Sequence, residues 1–218
     1  MYQLFPGKIQ GNVMKAWCIN LDSRFERWKA FSSDDELRFF VETERFPAIY
    51  NMNGALGCVI SHLEVMKRFD ANDMNIIFED DFIRVNDMKF VTEAINQLPD
   101  DWHCLYLGAM LHEHLTRYSS NLFRLQYGWC NHGIIYNGRT VADEILKHTP
   151  EEIHSKWRNI DTWMAHEIQP RFNCFIVDPI IGIQQPGYSD IIRRNRDYDM
   201  ISQYLSFTTQ QPGNKFTS

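Results

Sequence analysis

The chain has 218 residues, 44% hydrophobic and 14% aromatic, which is enough apolar material for one sizeable core. Its formal net charge of −6, from 22 basic and 28 acidic side chains, excludes a broad electrostatic glove for nucleic acid and leaves room only for a local basic patch. No apolar run approaches the roughly 20 residues of a membrane span, and the opening MYQLFPGKIQGNVMK lacks the pattern of a signal peptide. The five cysteines, Cys18, Cys58, Cys104, Cys130 and Cys174, are scattered and form no C-x-x-C. They are expected to be reduced thiols in a cytoplasmic protein.

In chain order, VMKAWCINL (Val13 to Leu21) reads as a strand and DSRFERWKAF as a helix. LRFFVE (Leu37 to Glu42) is expected to be a second strand. NGALGCVISHLEVMKRF is the clearest helix: Leu56, Val59, Ile60, Leu63 and Met66 recur at the spacing of one buried face. Asn53 is its expected N-cap. A stripe of small residues, Gly54, Gly57, Cys58 and Ser61, runs beside that face and implies close approach of a backbone or a ligand. MNIIFEDDF reads as a strand ending in acid, VTEAINQL as a helix stopped at Pro99, and CLYLGA as a short strand. HEH (His112 to His114) lacks the H-E-x-x-H spacing and reads as a polar loop. WCNHGIIYN is a strand followed by the helix RTVADEILKH. IDTWMAHEI is a helix with Asp161 at its N-cap, and NCFIVDPIIGIQQ a late strand broken by Pro179. This alternation argues for an α/β domain built on a mostly parallel sheet flanked by helices. The domain is expected over residues 1–205, with a polar tail at 206–218.

Three consecutive carboxylates, Glu79, Asp80 and Asp81, end the strand IIFEDDF. In open α/β sheets, ligands gather beyond the carboxyl ends of strands. In extended chain Glu79 and Asp81 share a face and Asp80 takes the other. Two carboxylates on one face suit a hard divalent ion, magnesium or manganese. Salt bridges plus a turn cap are the alternative. There is no G-x-x-x-x-G-K-[ST], G-x-G-x-x-G or G-x-S-x-G, so nucleotide hydrolysis, dehydrogenation and serine hydrolysis lack support.

Taken together, INLDSRFERW, GALGCVISHLEVMK and IIFEDDF resemble the motifs of glycosyltransferase family 25, which includes lipopolysaccharide and collagen galactosyltransferases. LYLG, GIIYNGRTVADEIL, NIDTWM and PIIGIQQPGYSDI resemble its second half more loosely, so the likeness runs from about Lys15 to Ile192. The resemblance implies a GT-A type fold, a single nucleotide-binding domain. It also implies metal-dependent, inverting transfer of a sugar from a nucleoside-diphosphate donor, UDP in the first instance, with Mn2+ or Mg2+ as cofactor. By the same resemblance the acids form a DXD-type motif, with Glu79 and Asp81 toward the metal and Glu79 and Asp80 also near the donor. Asn20, Asp22, Arg24 and Arg27 fall where the uridine and phosphates would lie, and Gly57, Ser61, His62 and Gln185 line the donor cleft. An inverting transfer needs a base for the acceptor hydroxyl. Asp161 is the first candidate and Asp190 the second, with Gln184 and Ser189 nearby.

The acceptor is expected to be a saccharide or a protein hydroxyl, or a hydroxylated base in DNA. Arg193, Arg194 and Arg196 offer a small phosphate-binding patch for the last. Two rival readings are a metal-dependent phosphoesterase or nuclease and a non-catalytic nucleotide-sugar binder.

Overall fold

The computed structural model describes residues 14–112, 115–189, 194–196 and 204. Strand β1 (Met14–Asn20) leads through a 3-10 turn (Asp22–Arg24) into α1 (Phe25–Ser32) and α2 (Asp35–Phe40). Next come β2 (Thr43–Pro47), α3 (Gly54–Met66) and β3 (Met74–Glu79). β4 (Phe82–Arg84), α4 (Lys89–Ile95) and β5 (Cys104–Tyr106) follow. The short strands β6 (Met110–Leu111), β7 (Thr116–Ser119), β8 (Leu122–Arg124) and β9 (Gly128–Trp129) precede β10 (Gly133–Asn137). Then come α5 (Thr140–Ile145), α6 (Pro150–Trp157) and α7 (Ile160–Trp163), which runs into a π-helical turn at Met164–Ile168. β11 (Cys174–Val177), β12 (Gly182–Gln184), β13 (Gly187–Ser189) and β14 (Arg194–Arg196) end the described chain's regular structure.

Eight strands form one sheet in the order β2-β1-β3-β10-β5-β11-β8-β7. The expectation of a mostly parallel sheet is corrected: the sheet is mixed. β2, β1 and β3 pair parallel, as do β5 and β11. β10 runs antiparallel between β3 and β5, and β8 and β7 add antiparallel pairs at one edge. The connections explain this. Helices carry the chain back from β1 to β2 and from β2 to β3, so the three strands run the same way and β1 pairs parallel with both neighbours. From β5 the chain turns through hairpin strands with no crossover helix, so β10 returns in the opposite sense.

Period-2 alternation sorts the strand residues onto two cores. Trp17, Ile19, Ile77, Tyr106, Ile134, Tyr136 and Ile176 pack with Val59, Leu63 and Met66 of α3 and with α5 to α7. Ala16, Cys18, Ile76, Phe78, Leu105, Ile135, Phe175 and Val177 pack with Phe31, Leu37, Phe40 and Val91 on the other face. The result is three layers, helix on sheet on helix. Each fully buried large side chain contributes roughly 1.5–3 kcal/mol. The five cysteines are free. Among the described residues no helix is long and apolar enough to cross a membrane.

Two local expectations change. Leu37 to Phe40 of LRFFVE are helical, not a strand, because Asp34 accepts the Leu37 N–H at 3.0 Å and caps α2, with Asp35 and Glu36 in its first turn; Val41 and Glu42 lie beyond the helix. Asp161 is not the cap of α7. Asn159 takes that position, and Asp161 lies inside the first turn. Other expectations hold. Asn53 caps α3 through the Leu56 N–H, and Val59, Leu63 and Met66 are buried, although Leu56 and Ile60 are only half-buried. Pro179 follows β11 in a cis peptide. Tyr204 is buried in the first core and donates to Asp178, which also pairs with Arg117 at 2.7 Å. The tail at 206–218, Glu113 and His114 of the HEH loop, and Asp190 and Arg193 lie outside the described residues, as do the side chains of Ser189, Arg194 and Arg196.

Candidate active site

β1, β2 and β3 run parallel, so their carboxyl ends open on one side. There the chain places Asn20 at the end of β1, Pro47 at the end of β2 and Glu79 at the end of β3. Asp80 and Asp81 form the tight turn into β4. Phe82 anchors that turn: it is buried against Phe31 and Phe78, with ring centroids 6.5 and 5.2 Å away, and beside His132 at 5.9 Å. A Cβ on Gly182 would meet the Phe82 ring at 2.1 Å, so only glycine admits Phe82 beneath the acids. β12 pairs antiparallel with β4 and sets Gln184 opposite Phe82.

The three acids have separate partners. Asp80 accepts from Asn20 Nδ2 at 2.7 Å and from Arg27 at 3.3 Å. Burial raises its pKa, opposed by the Asn20 bond and the Arg27 charge. Glu79 lies 3.0 Å from Nε2 of His62, which is buried on α3. Burial disfavours its charge, but the His62 bond and the His62 and His132 imidazoles outweigh it and hold Glu79 below the usual carboxylate range. Asp81 accepts from Gln184 Nε2 at 2.7 Å through one oxygen. Its other oxygen, Oδ1, is buried with no hydrogen-bond partner. Burial, then the Glu79 charge, push Asp81 up to about 7, against the Gln184 bond.

That orphaned oxygen tests the fit of a cation. A buried carboxylate oxygen without a donor is expensive. A hard divalent ion at the acid turn would satisfy it and lower the raised pKa together. Asp81 Oδ1 is thus a donor that suits a hard divalent cation.

The other expected residues divide. Asn20 is fully buried, and its amide is used within the fold: Nδ2 donates to Asp80 and to the Arg24 carbonyl at 2.9 Å, and Oδ1 accepts from Arg45 Nε at 2.7 Å. It holds the acid turn from behind. Arg27 is likewise directed to Asp80. Asp22 is exposed and pairs with Arg45 at 2.5 Å. Gly57 and Ser61 seat the loop after β2. A Cβ on Gly57 would meet the Ile49 carbonyl at 2.8 Å, and Ser61 Oγ accepts the Ile49 N–H at 2.8 Å. The small-residue stripe thus admits a backbone. Gln185 is exposed, and its N–H donates to the Asp81 carbonyl at 2.7 Å.

Asp161 comes into the same cluster. Burial and then the Glu79 charge raise its pKa, opposed by backbone N–H bonds from Thr162 (2.8 Å) and Cys130. Cys130 has φ +72°, and its Sγ lies 3.4 Å from Gln184 Oε1. Next to it Asn131 is buried with neither side-chain polar atom bonded, and the His132 carbonyl accepts the Glu79 N–H at 3.0 Å. The site residues not expected from the sequence are thus Arg45, Cys130 to His132, and Gln184 in its contact with Asp81. The run CNH ahead of an apolar strand was the available signal for the second of these.

No family model matches the chain, and no curated protein matches it.

Proposed function

We propose that the chain is a GT-A type, divalent-cation-dependent glycosyltransferase. It moves a sugar with inversion from a nucleoside-diphosphate donor, UDP in the first instance, to an acceptor hydroxyl. The observation that carries this reading is the acid turn at the carboxyl ends of three parallel strands, with Asp81 Oδ1 buried and unpartnered. Asp81 and Glu79 would hold Mn2+ or Mg2+, leaving diphosphate and water to complete its shell. When bound, such an ion stabilises the charge that develops on the diphosphate leaving group.

The chain's own residues supply the rest. Asn20 and Arg27 fix Asp80 and so the backbone of the turn. Tyr50 is exposed on the segment that leaves β2, and offers a flat surface to the donor's base. Asp161 is the base: it takes the proton of the acceptor hydroxyl as the oxygen bonds the anomeric carbon and the nucleoside diphosphate departs. Its raised pKa suits that role better than an ordinary carboxylate would. The acceptor belongs to the saccharides in this reading. The free thiols support a cytoplasmic location.

The test is a panel of nucleotide sugars incubated with chelator-treated protein and candidate acceptor saccharides, scored for nucleotide release with and without manganese. Manganese-dependent release from one donor, increased by one acceptor, is expected. No release from any donor, with or without manganese, would overturn the reading.

A further inference from the structure

Cys58 and His62 stand four residues apart on α3, so they share one face of the helix. That face meets the end of β3, where Glu79 reaches His62. One ligand atom from each of Cys58, His62 and Glu79 lies within 4.8 Å of the other two. A thiolate, an imidazole and a carboxylate around a tetrahedral zinc stand about 3.3–3.6 Å apart, from the usual bond lengths. From the 4.8 Å limit, the three need to close by no more than about 1.2–1.5 Å to bind one ion.

We propose that Cys58, His62 and Glu79 form a site for a borderline-soft divalent ion of the zinc type. The chemistry of the set selects the ion. Thiolate and imidazole favour zinc or cobalt, whereas magnesium and manganese favour oxygen. Asp81, an all-oxygen donor across the turn, stands outside the trio. Three protein ligands with a fourth position open is the arrangement of zinc sites that take a water or substrate atom. His62 is 1% exposed, which holds its ring fixed, while Cys58 is half-buried and leaves a path for the ion. The site goes beyond the transferase reading and stands without it. Glu79 is common to both, so an ion on the trio withdraws that carboxylate from the hard cation.

The test uses the full chain, treated with chelator and then titrated with Co2+ alone, followed by absorption. A thiolate-to-cobalt charge-transfer band that saturates at one ion per chain, together with tetrahedral-type visible bands, is expected. Cys58→Ser should abolish the charge-transfer band, and Glu79→Gln should weaken Co2+ binding more than the 10- to 100-fold typical of residues behind the ligands. Cys130→Ser, the control for the other thiol near the acid turn, should leave the band intact. Circular dichroism identifies variants that have not folded, and His62→Gln provides an independent ligand deletion with the same expected loss of affinity. Absence of the band in the wild type, or its persistence in folded Cys58→Ser, would overturn the proposal.

Discussion

Asp81→Asn separates stability from function at one atom. In the fold Asp81 ionises at about 7, against 3.8 when unfolded. Below 3.8 both states are protonated and the group leaves stability unaffected. Between 3.8 and about 7 the unfolded chain ionises first, so stability falls as pH rises; above about 7 the penalty is complete. The full shift corresponds to about 4 kcal/mol, and the part accumulated between about pH 5 and pH 8 to about 2–3 kcal/mol. Asparagine cannot ionise, so it escapes this penalty. It retains an oxygen for Gln184, but its amide nitrogen replaces the orphaned oxygen and costs roughly 1–3 kcal/mol at any pH. The pH-independent cost cancels when the two pH values are compared. In chelator, the stability of Asp81→Asn relative to wild type should therefore rise by about 2–3 kcal/mol from about pH 5 to pH 8, or roughly 5–10 °C in Tm. Thermal melts at both pH values read this directly. A difference that does not change with pH would show that Asp81 is not a buried carboxyl pressed by the Glu79 charge, and would remove the basis for a cation at the acid turn.

Other perturbations probe the surrounding residues. Asp161→Asn should reduce transfer by about 10²-fold or more, with donor affinity and ion requirement nearly unchanged; unimpaired turnover would remove Asp161 as base and direct attention to Asp190. Gly57→Leu should destabilise the protein by about 1–3 kcal/mol, because the new side chain meets the Ile49 carbonyl where a Cβ alone would be 2.8 Å away; a wild-type denaturation midpoint would contradict that packing. Asn20→Ala strips a buried amide from Asp80, Arg24 and Arg45 and should lower stability by roughly 2–4 kcal/mol, measured by urea unfolding. If only surface contacts were lost, the change would stay within about 0.5 kcal/mol.

The acid turn was legible because an apolar run ending in three carboxylates has few meanings at a strand end. The cap at Asn53 and the glycine stripe of α3 were legible because both are local patterns. The partners of the acids were not. Arg45 reaches Asn20 through parallel pairing of β1 and β2, and Gln184 reaches Asp81 through the β4–β12 ribbon, 103 residues away. Contacts made by strand pairing leave no spacing in the sequence. Strand direction was illegible for the same reason: the buried run GIIYN reads alike in a parallel or an antiparallel strand. The segment LRFFVE misled because its aromatics suit a strand, while the Asp34 cap that decides for a helix lies just ahead of it. The two-residue strands β6 and β9 are too short to show any period.

The most direct measurement is manganese binding itself. Chelator-treated protein is titrated with Mn2+ in the presence and absence of UDP, and the free-ion electron paramagnetic resonance signal is followed. The expected result is one tightly bound ion per chain with UDP present, weaker binding without it, and loss of that binding in Asp81→Asn. A free-ion signal unchanged by the protein, or equal binding by Asp81→Asn, would contradict the assignment of the acid turn as the cation site of a glycosyltransferase.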